Sequence, residues 1–440
     1  MIERLYKAFL NSTGVSIDTR TLNEGEIFFA LSGENFDGNV FAQSAISGGA
    51  SCVVASDPEL VGDNVLIVSD CLKALQELAL HHRNRLDLPV IAITGSNGKT
   101  TTKELIHHIL STKFKTVATK GNLNNHIGVP LSLLNISEET EIAVIEIGAN
   151  HIGEVRFLSE LARPTHGLIT NIGKAHLEGF GSLEGVKRAK SELYENLESS
   201  DGVVFVNLSA DYLEALSTSV KQRVSYAVDN AYLKETGLAY DNIDYLFSRV
   251  ESDRGVCLAW QISSTDNHVF ESMLYGAYNA PNIATAVTVG LHFGVDVQDI
   301  SKAIKSYVPV NNRSQVVQKE GKTILLDAYN ANPVSMELAI ADLSGRAESK
   351  SLILGGMNEL GEHADVEHLK LLNLISQFEW CDVLLIGPHF KEIHENFDFL
   401  WFADARECRY YLEGHIITGE VVLLKGSRSL QLESLLDFIK

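Results

Sequence analysis

The run Gly95, Ser96, Asn97, Gly98, Lys99, Thr100, Thr101 limits the architectures open to this chain more than any other feature. It follows the apolar run Val90 to Thr94, which reads as a strand, and precedes a helical stretch from Thr102 to Leu110. Strand, glycine loop and helix in that order form a phosphate cradle. The glycines let backbone N–H groups turn inward around phosphate oxygens, and the helix N-terminus adds partial positive charge. Lys99 can then reach the outer phosphates and the Thr100 hydroxyl can ligate Mg2+. Handling of a nucleoside triphosphate is therefore expected, through a loop shorter than the usual glycine, four residues, Gly-Lys-Ser/Thr spacing.

That cassette sits in a chain of 440 residues, beyond the size at which one hydrophobic core keeps growing. Several domains are expected. From about Pro89 onward, short apolar runs alternate with helical patterns, which predicts an α/β fold of parallel sheets with crossover helices. One block begins at Val90 to Thr94 and takes in residues 141–148, 167–171 and 202–207. A second holds 323–327, 351–354, 382–386 and 420–424. Between them, Gln222 to Tyr275 alternates in polarity and is rich in Val, Tyr, Ser and Phe, so an antiparallel accessory sheet is expected there. A helix is expected over residues 279–292, and Pro309 with paired asparagines marks a hinge between Tyr307 and Asn312. Residues before about Leu88 form a third unit, with strands near 26–30, 52–55 and 65–68.

A formal charge of −21 opposes nonspecific binding to nucleic acid or anionic lipid, so any phosphate site must be local. No run reaches membrane-spanning length, and the first ten residues lack the apolar core of a signal peptide. The five cysteines are scattered, without metal-type pairing, and read as reduced, mostly buried thiols of a cytoplasmic protein.

The stretch Thr94 to Thr102 resembles the ATP loop of the Mur ligases and their folylpolyglutamate synthetase relatives. In those enzymes ATP phosphorylates a carboxylate and an amine attacks the acyl phosphate. The strand from Ile142 delivers Glu146 at its C-terminal end, where a carboxylate can hold Mg2+ beside phosphates. The resemblance also implies that His176, in Asn171-Ile-Gly-Lys-Ala-His176, binds a second Mg2+. It further implies that Lys190, in Lys187-Arg-Ala-Lys190-Ser-Glu, is carbamylated; by position alone Lys190 reads as a solvated helix-face residue. A carbamate supplies hard oxygen ligands where an ammonium would repel the metal.

Asn279 and Asn282 resemble the family's paired asparagines near adenine, and Arg313, at the second hinge, is expected on the γ-phosphate. Asp327-Ala-Tyr329-Asn330-Ala-Asn332-Pro333 is similar to the branch of the family that adds D-alanyl-D-alanine. By that likeness Asp327 touches the ribose, and Tyr329, Asn330 and Asn332 shape the interdomain site. Gly355 to His363 and Lys425-Gly-Ser-Arg428 resemble the same branch, with Gly356 where the family usually has Asp; Lys425 and Arg428 are candidates to receive the dipeptide carboxylate or to stabilise the loop. Ser16 to Arg20 and Gly25 to Gly33 resemble the module for UDP-muramoyl peptides, with Thr19 and Arg20 near the diphosphate. Asn124 and Asn125 fall in the loop that contacts the muramoyl peptide, where His126 replaces the usual acid.

The resemblance implies a three-domain architecture: residues 1–88 for the UDP-muramoyl substrate, 89–309 as a central P-loop ATPase domain, and 310–440 as a Rossmann-like domain. It implies a monomer that uses ATP and two Mg2+ ions to join D-alanyl-D-alanine to UDP-N-acetylmuramoyl-tripeptide for peptidoglycan synthesis, with neither nucleic acid nor membrane insertion involved. The ligase adding the third amino acid is one rival, although its Asp-Asn-Pro-Arg tetrapeptide is missing here. Folylpolyglutamate synthetase and a P-loop switch NTPase are others.

Overall fold

The computed structural model describes residues 1–228, 243–250, 255–261 and 267–440. Three larger sheets organise them. The first joins Val15–Ser16, Ile27–Phe29, Cys52–Ala55 and Val65–Ile67 in that order, all parallel. Ile27, Phe29 and Val54 on one face pack with Leu75 and Leu78 of helix Cys71–Arg83, which Asp70 caps through the Lys73 N–H. This core runs on into the central sheet through Val129, Ala143 and Ile145, so the first unit is welded to the second.

The central sheet has nine strands. Its order is Asn267–Glu271, Cys257–Gln261, Tyr245–Val250, Gln222–Val228, Val203–Asn207, His166–Ile169, Val90–Thr94, Ile142–Glu146, Thr116–Ala118. Val90–Thr94 and Ile142–Glu146 are buried throughout, as strands covered on both faces must be, and this explains their unbroken apolar character. Helices Lys99–Leu110 and Ala280–His292 cover one face, while Glu154–Ala162 and Leu183–Ser199 cover the other. The cradle, Glu146 and the loop after Ile169 consequently emerge together at the carboxyl ends of three adjacent parallel strands, where open α/β sheets bind ligands.

The expected accessory sheet is corrected. Gln222–Val228 and Tyr245–Val250 extend the parallel sheet, and only Cys257–Gln261 and Asn267–Glu271 run antiparallel, as its edge. Tyr226, Val228 and Phe247 are buried in the core beneath helix Ala280–His292, so the alternating polarity reflects burial against the main layer. Residues 229–242, 251–254 and 262–266 of that stretch lie outside the described residues.

The third sheet runs Gln315–Lys319, Lys322–Asp327, Val421–Lys425, Lys350–Gly355, Asp382–Ile386, Leu400–Phe402, parallel except for its first pair. The outer strands Gln315–Lys319 and Leu400–Phe402 were not expected. All five cysteines are free, and all but Cys381 are buried. Among the described residues no helix is long and apolar enough to cross a membrane.

Candidate active site

Strand ends of the central and third sheets face a cleft of about 680 Å³. Ser96 to Thr101, Asn124, Asn125, Glu146, His176, Asn279 and Asn282 line it from the central side. Arg313, Asp327, Tyr329, Asn330, Asn332 and Lys425 line it from the other. Sequence reasoning thus converges on one place, with Gly95 and Lys190 just beneath it and Thr19 and Arg20 outside its lining.

The cradle needs its glycines. Gly95 and Gly98 have φ of +140° and +80°, and a Cβ on Gly98 would come within 2.5 Å of Asn282 Oδ1. Thr170 Oγ1 and Asn171 Nδ2 donate to the Asn97 carbonyl at 2.6 and 3.0 Å, and the Asn97 N–H donates to Asn171 Oδ1 at 2.9 Å. Ser96 Oγ is bound to Gly173 through both backbone groups. These anchors, absent from the motif itself, fix the loop. Lys99 Nζ donates to the carbonyls of Gly95 (2.7 Å) and Ser96 (3.3 Å). Burial pulls its ammonium below the usual range, and the nearby Glu146 carboxylate opposes that pull.

Glu146 stands behind the cradle. Its Oε1 accepts from Asn124 Nδ2 at 2.8 Å and Thr100 Oγ1 at 3.2 Å, while Oε2 is buried without a hydrogen-bond partner. Lys103, 1 % exposed, places Nζ 3.8 Å from that oxygen and donates to the Thr119 carbonyl at 2.6 Å. Thr119 Oγ1 in turn accepts the Glu146 N–H. Sequence reasoning missed Lys103. Its signal was the four-residue spacing from Lys99, which puts both on one side of helix Lys99–Leu110. An acceptor-only oxygen left free beside a threonine hydroxyl fits a hard divalent cation. Among the described residues no group of three or more His, Cys, Asp or Glu side chains could hold a metal ion.

Asn282 Nδ2 donates to Asn279 Oδ1 at 2.9 Å, and Asn282 Oδ1 accepts from Thr102 Oγ1 at 3.2 Å. Asn279 Nδ2 donates to Tyr275 O and to Ser314 Oγ. The two asparagines therefore brace helix Ala280–His292 on the cradle helix. His176, at φ +52°, holds Nδ1 2.6 Å from Glu359 Oε2 across the cleft. The His176 ring beside it holds the Glu359 carboxyl below its usual range. Glu359 lay in a quoted motif but had no assigned role. Beside this pair, Lys174 Nζ meets Glu367 at 2.9 Å.

Lys190 is the chief departure from its bland reading. It is 1 % exposed on helix Leu183–Ser199, with Nζ 5.0 Å from the Phe180 ring centre and 3.4 Å from the Ala149 carbonyl. Burial pulls its ammonium down to about 7, with Lys99 contributing. A lysine so placed is partly neutral, and hence nucleophilic, near neutral pH.

On the far wall the Arg313 guanidinium lies 3.7 Å from the Tyr329 ring centre. Asp327 pairs with Lys425 and accepts the Ser314 N–H at 3.2 Å. Lys425 is thus paired within the wall itself, and Arg428 pairs with Glu433. Asn330 Oδ1 accepts the Ala331 N–H. Asn332 caps helix Pro333–Ser344 and donates to Asn97 Oδ1 at 2.7 Å. Asn125 Oδ1 accepts the N–H groups of Ile127 and Gly128, opening helix Gly128–Leu134. Exposed Arg20 pairs with Asp18 at 2.6 Å.

Family models for the Mur ligase family, catalytic domain, the Mur ligase middle domain, and the Mur ligase, glutamate ligase domain match residues 11–90, 93–290 and 312–428. A UDP-N-acetylmuramoyl-tripeptide–D-alanyl-D-alanine ligase from Escherichia coli is 34% identical, covering 98% of this chain and 94% of its own length. A MurF crystal structure from Acinetobacter baumannii superposes with a TM-score of 0.85 at 28% identity, covering 99% and 98% of the two chains. MurF ligase from Thermotoga maritima, solved in complex with ADP, gives 0.83 at 25% identity over 98% and 97%. With three consecutive domain matches and a relative alike over nearly its whole length, the chain belongs to the Mur ligase family.

Proposed function

We propose that this chain uses ATP to join D-alanyl-D-alanine to UDP-N-acetylmuramoyl-tripeptide, giving the pentapeptide precursor of peptidoglycan. The observation that carries the reading is the facing of two half-sites across one cleft: cradle, Thr100 and Glu146 on one wall, Arg313 and the Asp327-to-Pro333 segment on the other. The full-length likeness to ligases named for this reaction supports the choice of substrates. The units 1–88, 89–309 and 310–440 would respectively bind the nucleotide sugar, hold ATP and close over it.

In this reading the loop N–H groups and Lys99 hold the phosphate tail and stabilise charge as the terminal phosphoryl group passes to the tripeptide carboxylate. Arg313, steadied by Tyr329, meets the same phosphate from the other wall. Asn279 and Asn282 flank the base, Asp327 the ribose, and Thr19 and Arg20 the UDP end. Asn124, Asn125, Tyr329, Asn330 and Asn332 bound the space for the peptide and the incoming dipeptide. The dipeptide amine attacks the acyl phosphate and phosphate leaves. Closure of the cleft keeps water from that reactive anhydride.

Thr100 and Glu146 would hold one Mg2+, and His176 with a carbamylated Lys190 a second. Bound there, Mg2+ supplies charge neutralisation along the phosphates. The neutral amine favoured at Lys190 supports the modification: it adds to CO2, forms an N–C bond and releases one proton. A cytoplasmic monomer suits a cleft built by one chain, and sedimentation tests it. The activity test is phosphate release from ATP with UDP-muramoyl-tripeptide and either D-alanyl-D-alanine or single amino acids. The reading requires release with the dipeptide; release with a single amino acid alone assigns the preceding ligation step.

A further inference from the structure

We infer that Glu104 is a positioning residue that fixes the pivot between the ATP-holding unit and the closing unit. It lies on helix Lys99–Leu110, the helix that begins with Lys99, and faces away from the cradle toward the connecting segment. Its carboxylate grips that segment twice: Oε2 accepts from Tyr307 Oη at 2.7 Å, and Oε1 accepts from Asn311 Nδ2 at 3.0 Å. The Lys103 ammonium, 3.8 Å from Oε1, keeps the carboxylate partly matched.

The next residues are bound to the other unit. The Asn312 carbonyl accepts the Tyr329 N–H at 3.2 Å, and the Ser314 N–H donates to Asp327. Asn312 and Ser314 both have positive φ, at 56° and 46°, so the chain bends sharply between two fixed ends. The grip therefore changes sides at the peptide joining Asn311 to Asn312. Arg313 follows immediately, and its reach into the cleft depends on where that peptide is held. Asn279 Nδ2 also reaches this segment, at Ser314 Oγ beyond that point, and the two units meet again away from the segment at Asn97–Asn332, His176–Glu359 and Lys174–Glu367. Glu104 thus ties the aim of Arg313 to the helix that carries the phosphate cradle, through charge-assisted bonds stronger than neutral ones.

The kinetic consequence rests on the ligase reading above; the structural one does not. Asn311→Asp sets carboxylate against carboxylate and should break the grip. Glu104→Gln added to it offers an amide donor to the new carboxylate, restoring the bond with its polarity reversed. In the full-length chain, Asn311→Asp should speed amide exchange over residues 305–313 and lower kcat about tenfold, with ADP affinity unchanged, because aim and not binding is lost. The double variant should recover both exchange protection and kcat, and Tyr307→Phe should give a smaller loss of protection. Wild-type-like exchange and kcat in Asn311→Asp, or no recovery in the double variant, overturns the inference. An inactive wild type sinks the ligase reading alone, since exchange still decides the pivot.

Discussion

Replacing Lys190 by Met should make the protein more stable and abolish ligation at the same time. In the unfolded chain this ammonium loses its proton near 10.5, whereas in the fold burial brings that value down to about 7. Between those values the unfolded state holds a proton that the native state lacks, so stability rises with pH across the window. The penalty is complete at and below about pH 7 and fades as pH approaches 10.5. At about 1.4 kcal/mol for each pH unit of that interval, it amounts to roughly 5 kcal/mol at neutral pH and below. Met fills a similar volume, brings no charge, and sets its thioether against Phe180. Thermal melting in CO2-free buffer provides the assay. Relative to the variant, wild-type protein should gain roughly 2 °C per pH unit between about pH 7 and pH 9. The variant should melt higher at neutral pH and turn over no substrate. Equal pH slopes for the two proteins would refute the argument, because the charge at position 190 would then not govern stability.

Lys99→Ala should lower ligation by about a hundredfold or more without lowering the melting temperature, since Lys99 bonds its own loop carbonyls and burial already disfavours its charge. Product formation and melting curves check both halves. Glu146→Gln should remove Mg2+-dependent turnover and also destabilise the fold by about 1–2 kcal/mol, because buried Lys103 loses one of its two neighbouring carboxylates and keeps Glu104; a Mg2+ titration and a urea melt test this. Gly98→Ala should weaken ADP binding at least about tenfold and cost about 1–2 kcal/mol, from the φ of +80° and the contact with Asn282, as calorimetry would register.

Local chemistry was legible and long-range chemistry was not. The cradle could be read because strand, glycines and helix are contiguous, and Glu146 because a strand end next to such a loop has few other uses. Asn171 and Thr119 carried no comparable mark: each acts on a residue at least 27 positions away, through bonds only the sheet order creates. Lys103 and Glu104 looked like ordinary helix charges, but Lys103 is enclosed with Thr119 and Glu146 by the sheet order, and Glu104 pairs with the connecting segment roughly two hundred residues later. The strands Gln222–Val228 and Tyr245–Val250 were misassigned for a related reason. Alternating polarity reports that one face is buried, not whether the neighbouring strand is parallel. Lys190 needed the family likeness, since a buried lysine and a solvated one look the same in sequence.

Asn332 joins two jobs in one side chain. Its Oδ1 starts helix Pro333–Ser344 by accepting the Ser335 N–H, and its Nδ2 holds Asn97 in the phosphate loop. Serine, threonine and aspartate would begin the helix just as well. Aspartate has no hydrogen to give the loop and would present a negative charge to the triphosphate, while serine and threonine carry their single hydrogen on the same oxygen that accepts the cap N–H, one bond shorter than the asparagine Nδ2 that reaches Asn97. Asparagine separates the two tasks onto two atoms, so the latch can be cut without unwinding the helix that bears it.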